Sequence, residues 1–220
     1  MGIGHAAVAL GASRVAPRVN AGILIFAAFL ADFLLGIFAA LGMEQAHVPP
    51  DFATRHYLTF TFPYSHGLVA LMGWGLLFGA VCCWMKRRDR VRVFWVIAAL
   101  VFSHFILDGL VHVPELPLLG RDSPKVGLSL WNHMPLELTI ESLMALAGLA
   151  IYWKDGTRGG RWGMAAFVVL LTGITWTQLV STMPPTNSEL VPTWIIAPLV
   201  FSAIPYAFDR KRIQVQVSSL

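Results

Sequence analysis

Residues 91–113 read VRVFWVIAALVFSHFILDGLVHV. As a helix this run is about 34 Å long at 1.5 Å per residue, enough to cross a hydrocarbon core of about 30 Å. It nevertheless carries His104, Asp108 and His112 at i, i+4 and i+8, a spacing that puts all three on one helical face. Ionisable groups in hydrocarbon cost a few kcal/mol each, so that face must turn toward other helices or toward water. The run therefore implies partners, and the chain supplies them. Five further apolar stretches, near 20–42, 63–85, 131–153, 162–183 and 190–208, approach the length of about 20 residues that a span requires.

Composition agrees. Of 220 residues, 56% are apolar and 13% charged, with a mean hydropathy of +0.66. A soluble domain carries about a quarter charged residues. These values exclude a disordered chain, a nucleic-acid-binding protein and an ordinary cytosolic enzyme. They predict an all-α polytopic membrane bundle of about six transmembrane helices, forming one integral membrane domain over 1–220. The two cysteines, Cys82 and Cys83, are adjacent, which excludes a disulfide framework and a thiolate zinc site.

The 16 basic residues set the orientation. Arg14, Arg18, Lys86, Arg87, Arg88, Arg90, Arg92, Lys154, Arg158, Arg161, Arg210, Lys211 and Arg212 fall on one side of a six-helix bundle, against Arg55, Arg121 and Lys125 on the other. The positive-inside rule makes the first side, and with it both termini, cytoplasmic. The chemistry lies toward the opposite face. Helix three holds His104, Asp108 and His112, and the stretch WNHMPLELTIES (131–142) puts His133, Glu137 and Glu141 at the same spacing in helix four. Asp32 lies inside helix one and His66 opens helix two. His104 sits about 14 Å below the outer end of its helix, and Glu141 and Asp32 are similarly deep. His5, His47 and His56 are expected to be exposed.

Imidazole and carboxylate groups at close spacing are what a divalent ion needs: neutral nitrogens with anionic oxygens to offset its charge. The candidate ligands are His66, His104, Asp108, His112, His133, Asp32 and Glu141, and zinc, manganese or iron all suit them. Glu137 and Asp108 are the candidate catalytic carboxylates, with Glu137 as general base. Arg121 and Lys125 in an outer loop are candidates to hold an anionic head group.

The runs FPYSHGLVALMGWGLL (62–77), VFSHFILDGLVHVPELPL (101–118) and KVGLSLWNHMPLELTIE (125–141) resemble the bacterial inner-membrane metal-dependent hydrolase family (YdjM-like) and related uncharacterised bacterial membrane proteins. The shared features are an Asp in the first helix (Asp32), a Ser-His pair opening the second (Ser65 and His66), and SHxxxD in the third (Ser103, His104 and Asp108). The resemblance covers roughly Asn20 to Trp153. It implies a multi-pass protein of the bacterial inner membrane with a divalent metal site in its outer half, acting on a lipid or phosphoester. The chain departs from the family pattern in the first helix, where Asp32 lies inside AFLADFLLG (28–36) rather than in an Asp-Pro-Asp turn.

Other classes remain open. Intramembrane His and carboxylate chains also form proton relays and ion paths, which suits a transporter or permease component. A small subunit of a larger membrane complex, or a haem carrier using His66 and His104, is a further reading. The expected partners are the bilayer, a lipid or small-molecule substrate and other membrane proteins, with no nucleic acid.

Overall fold

The computed structural model describes residues 2–85 and 89–218. Lys86, Arg87 and Arg88 of the basic count lie outside the described residues. The chain is mostly helical: α1 (Ile3–Ala12), α2 (Ala21–Ala28), α3 (Leu30–Ala40), α4 (Phe52–Arg55), α5 (Leu68–Trp84), α6 (Arg90–Val111), α7 (Met134–Asp155), α8 (Arg158–Trp176) and α9 (Asn187–Ser218). Two small antiparallel ribbons are added in the loops: β1 (Gln45–His47) with β2 (Thr59–Thr61), and β3 (Leu116–Pro117) with β4 (Lys125–Val126). Four helices are long and apolar enough to cross a membrane, or five if α2 and α3 count as one bent span. Large apolar side chains such as Val69, Met72, Leu76, Leu110, Leu143 and Val169 point outward, as lipid-facing positions do.

Lipid tails are as apolar as leucine, so helices in a membrane are held by close packing of small residues rather than by hydrophobic expulsion. Gly75 and Gly79 of α5, one turn apart, lie against the backbone oxygens of Ala98 and Phe94 of α6, where an added Cβ would come within 2.9 and 2.8 Å. At Gly148 of α7 a Cβ would stand 2.4 Å from the Ala7 carbonyl oxygen of α1.

Three local findings differ from the sequence reading. First, residues 3–12 precede the first expected span, which starts near residue 20. They form α1, an apolar half-length helix that presses against Gly148 of α7 at Ala7, and it carries Gly2 to the wall of a cavity. Second, the first span is broken at Phe29 by 52°. The His104 ring is inserted there, its Nδ1–H donating to the Ala28 carbonyl at 2.8 Å, and an inserted side chain is a recognised cause of a kink. Third, α5 begins at Leu68 rather than near 63. The Glu44 carboxylate accepts the Tyr64 and Ser65 backbone N–H bonds at 2.7 and 2.9 Å, which holds residues 63–67 in an irregular turn.

One end of the bundle is locked by charge. Arg212 donates to both Asp209 oxygens at 2.6 and 2.7 Å and to the Pro17 and Val19 carbonyls at 2.9 and 3.0 Å. Tyr152 donates its hydroxyl to Asp209 at 2.8 Å, and Arg18 pairs with Asp89. These bonds gather the α1–α2 turn, the start of α6 and the ends of α7 and α9 at one face.

Candidate metal centre

Helical period alone sets the first residues of the site. His104 and Asp108 are one turn apart on α6, both 1% exposed, with His104 Nε2 3.2 Å from Asp108 Oδ2. α6 ends at Val111, and His112 leaves it in an extended conformation (ψ 151°) that turns its ring back over the helix end. His112 Nε2 then lies 3.6 Å from the same Asp108 oxygen. The turn before α5 brings His66 Nε2 to 3.6 Å from Asp108 Oδ2 and 3.1 Å from His104 Nε2. Asp32, just past the break in the first span, stands 3.8 Å from His66 and 3.9 Å from His104.

The outward nitrogens of these rings fix the tautomers. His104 Nδ1–H is held by the Ala28 carbonyl, which can only accept. His112 Nδ1–H donates to Glu115 Oε1 at 2.6 Å. His66 Nδ1–H donates to Ser65 Oγ at 2.7 Å, whose own proton goes to Glu44 Oε2 at 2.6 Å. As neutral imidazoles in these tautomers, all three rings present an Nε2 lone pair to the same small volume. Two lone pairs 3.1 Å apart repel unless a cation or a shared proton stands between them. Ligand atoms 2.0–2.2 Å from a tetrahedral ion are about 3.3–3.6 Å from one another, close to the spacing among His66, His104 and Asp108. This donor set fits a divalent ion.

Beside it lies a cavity of about 180 Å³, lined by Gly2, Asp32, Leu35, Phe60, Phe62, His66, Asp108, His112, Trp131, Glu137, Glu141, Thr175, Gln178 and Trp194. Glu137 and Glu141, one turn apart on α7, are 2% and 0% exposed. Neither Glu141 oxygen makes a hydrogen bond of good geometry, although the backbone N–H of Gly4 and the Glu137 carboxyl are near. Phe60, Trp131 and Trp194 are half-buried and Gln178 is exposed, which marks the rim.

Of the residues singled out from sequence, Asp32, His66, Asp108, His112, Glu137 and Glu141 line this cavity, and His104 lies behind them against His66 and Asp108. His133, Arg121 and Lys125 do not. His133 is exposed at the end of a 3-10 turn (Leu130–His133), before α7 begins, so the i, i+4 relation to Glu137 does not hold. Arg121 and Lys125 are exposed on the β3–β4 hairpin and away from the cavity wall.

Three participants were missed or misjudged. His5, expected to be exposed, is fully buried, stacked on His104 with ring centroids 3.8 Å apart, its Nε2 3.2 Å from Asp108 Oδ1. Its only sequence signal is its place in the apolar run IGHAAVALGA (3–12). Glu44 and Glu115 act behind the rings as acceptors, and Glu115 also takes the Phe60 N–H at 2.6 Å. Burial raises the Glu44 carboxyl above its ordinary pKa range, against the downward pull of its hydrogen bonds from Ser65 and Tyr64.

No family model, curated protein or solved structure matches the chain.

Proposed function

We propose that this chain is a metal-dependent hydrolase of the bacterial inner membrane, with its site in the outer half of the bilayer and a lipid or other phosphoester as substrate. The observation that carries the reading is the convergence of three Nε2 lone pairs on Asp108, each ring oriented by an acceptor behind it. His66, His104 and Asp108 would hold the ion, with Asp32 closing the set and His112 beside it. A bound divalent ion supplies Lewis acidity to the scissile group and to the attacking water.

The chain's own groups do the rest. Glu137, buried in the cavity wall, takes the proton from the attacking water and returns it to the leaving oxygen. The rim of Phe60, Trp131 and Trp194 orients the apolar part of an amphiphile, as aromatic side chains at a membrane interface do. Zinc-, manganese- or iron-loaded protein in liposomes is expected to hydrolyse a member of a lipid and phosphoester panel. Glu137→Gln should lower kcat by about 10²–10⁴-fold with metal content unchanged. Equal kcat in that variant would remove Glu137 from the mechanism.

The same proposal has six spans, α2 and α3 counting as one, with the locked end cytoplasmic and α1 re-entering from it. A reporter inserted between Asp89 and Arg92 should read cytoplasm, and a periplasmic readout would invert the whole assignment. The bent span and the half-length α1 favour a second reading, a transporter component, since broken helices surround ion sites in transporters. The buried Asp209, Arg212 and Tyr152 bonds oppose it, because they close the other end of any path.

A further inference from the structure

We propose that a groove adjoining the cavity is a sugar-binding subsite, which holds an uncharged glycosyl group of the substrate next to the scissile bond. Its assignment to substrate rests on the hydrolase reading, whereas its capacity to bind a sugar does not. The groove has a volume of about 270 Å³ and is formed by residues 52–60, Trp131 and the segment that follows α8. Phe60, Trp131 and Gln178 line both the groove and the cavity of about 180 Å³, so the two spaces meet at these side chains. Trp131 links them directly. Its ring lies 4.0 Å from that of His112 at the candidate metal centre and 5.4 Å from that of Tyr57 in the groove. Taken together the two spaces fall in the range of about 300–1,000 Å³ usual for small-molecule sites. In the proposed topology every segment of the groove belongs to an outer connection, where the polar part of an amphiphile lies.

The lining selects the occupant. Among the described residues no Asp, Glu, Lys or Arg lines the groove, so it offers a charged head group no counter-charge. Tyr57 and Trp131 pack on each other at an interplanar angle of 31°, which leaves no slot between them for a flat base. They form a fixed aromatic wall instead, because the Tyr57 hydroxyl donates to Asn132 Oδ1 at 2.7 Å and accepts from Arg55 at 2.8 Å. Hydrogen-bonding groups stand beside this wall. His56 ends α4, and its Nδ1–H donates to the Ser181 carbonyl at 2.9 Å. A carbonyl only accepts, so Nε2 of the neutral ring is left as an acceptor, while the Gln178 amide both donates and accepts. A pyranose ring has the matching character: an apolar face of C–H groups and an edge of hydroxyls that donate and accept. Trp194 lines the cavity but not the groove, and so remains with the apolar part of the substrate. The substrate class is thus a glycosylated amphiphile.

Calorimetric titration of the protein in a sugar-free polyoxyethylene detergent tests this. The probes are the hexyl glucoside, galactoside and mannoside, with 1-O-hexylglycerol and hexylphosphocholine as the ring-free and charged comparisons. At least one glycoside should bind about tenfold or more tightly than 1-O-hexylglycerol, the effect of one or two hydrogen bonds to neutral groups plus contact with the wall. Gln178→Ala and Trp131→Leu should each weaken that glycoside by roughly 2–10-fold, with gel filtration showing that both variants fold. Equal binding of the glycosides and 1-O-hexylglycerol overturns the proposal, as does a preference for hexylphosphocholine. A glycoside preference that both variants leave intact also overturns it, because the sugar then binds elsewhere. Glycoside preference in wild-type protein that retains no divalent ion supports the subsite and counts against the hydrolase reading alone.

Discussion

Asp108→Ala should leave the purified protein unable to retain a divalent ion and without hydrolytic activity. Among the described residues, Asp108 is the one carboxylate within 3.2–3.6 Å of His5, His66, His104 and His112 together. It supplies both a ligand oxygen and the negative charge that lets neutral imidazoles hold a dication. The appropriate comparison is Glu44→Gln, which removes no ligand and disturbs the Glu44–Ser65–His66 chain, while its amide oxygen can still accept the Tyr64 and Ser65 backbone N–H bonds. Loss of such an orienting partner costs roughly 10–100-fold in metal affinity rather than abolishing it. Dialysis against a metal buffer, with gel filtration to confirm that both variants fold, separates the two outcomes. An Asp108→Ala protein with wild-type affinity would mean that the carboxylate is only a structural counter-charge.

The second large effect is expected at His5. His5→Ala removes a fully buried ring stacked on His104, and should cost about 2–4 kcal/mol of stability by analogy with other buried large-to-small changes. It should also weaken metal binding by roughly 10–100-fold, because the contact with Asp108 Oδ1 goes with it. His5→Phe distinguishes the two contributions. It refills the space and should recover most of the stability, measured by thermal unfolding in detergent, while metal binding stays weak. Full metal affinity in His5→Phe would reduce His5 to a packing residue.

What could be read in advance follows from period. His104, Asp108, Glu137 and Glu141 lie within regular helices, so i, i+4 spacing placed each pair on one face, and the structure keeps both pairs. The same rule failed at helix ends. His112 reaches the site by leaving the helix, and His133 misses it by preceding the helix. His5 was missed because ten apolar residues are too short for a span, and a helix of half that length has no distinct hydropathy pattern. Glu44 was illegible for another reason. Its role depends on hydrogen bonds to residues 64 and 65, some twenty positions away, which no local pattern encodes. The break at Phe29 has neither Pro nor Gly to announce it, and is caused by a ring from a distant helix. Gly75 and Gly79 stand four residues apart in the sequence, but only their distance to α6 explains them.

As proposed, the imidazoles of His66, His104 and His112 gather with Asp108 around one divalent ion. Elemental analysis of wild-type protein, purified in detergent, loaded in turn with zinc, manganese and iron and then dialysed, tests it directly. At least one of these ions should be retained in stoichiometric amount, and His104→Ala should lose it. Wild-type protein that retains none of the three, while remaining folded, would contradict it.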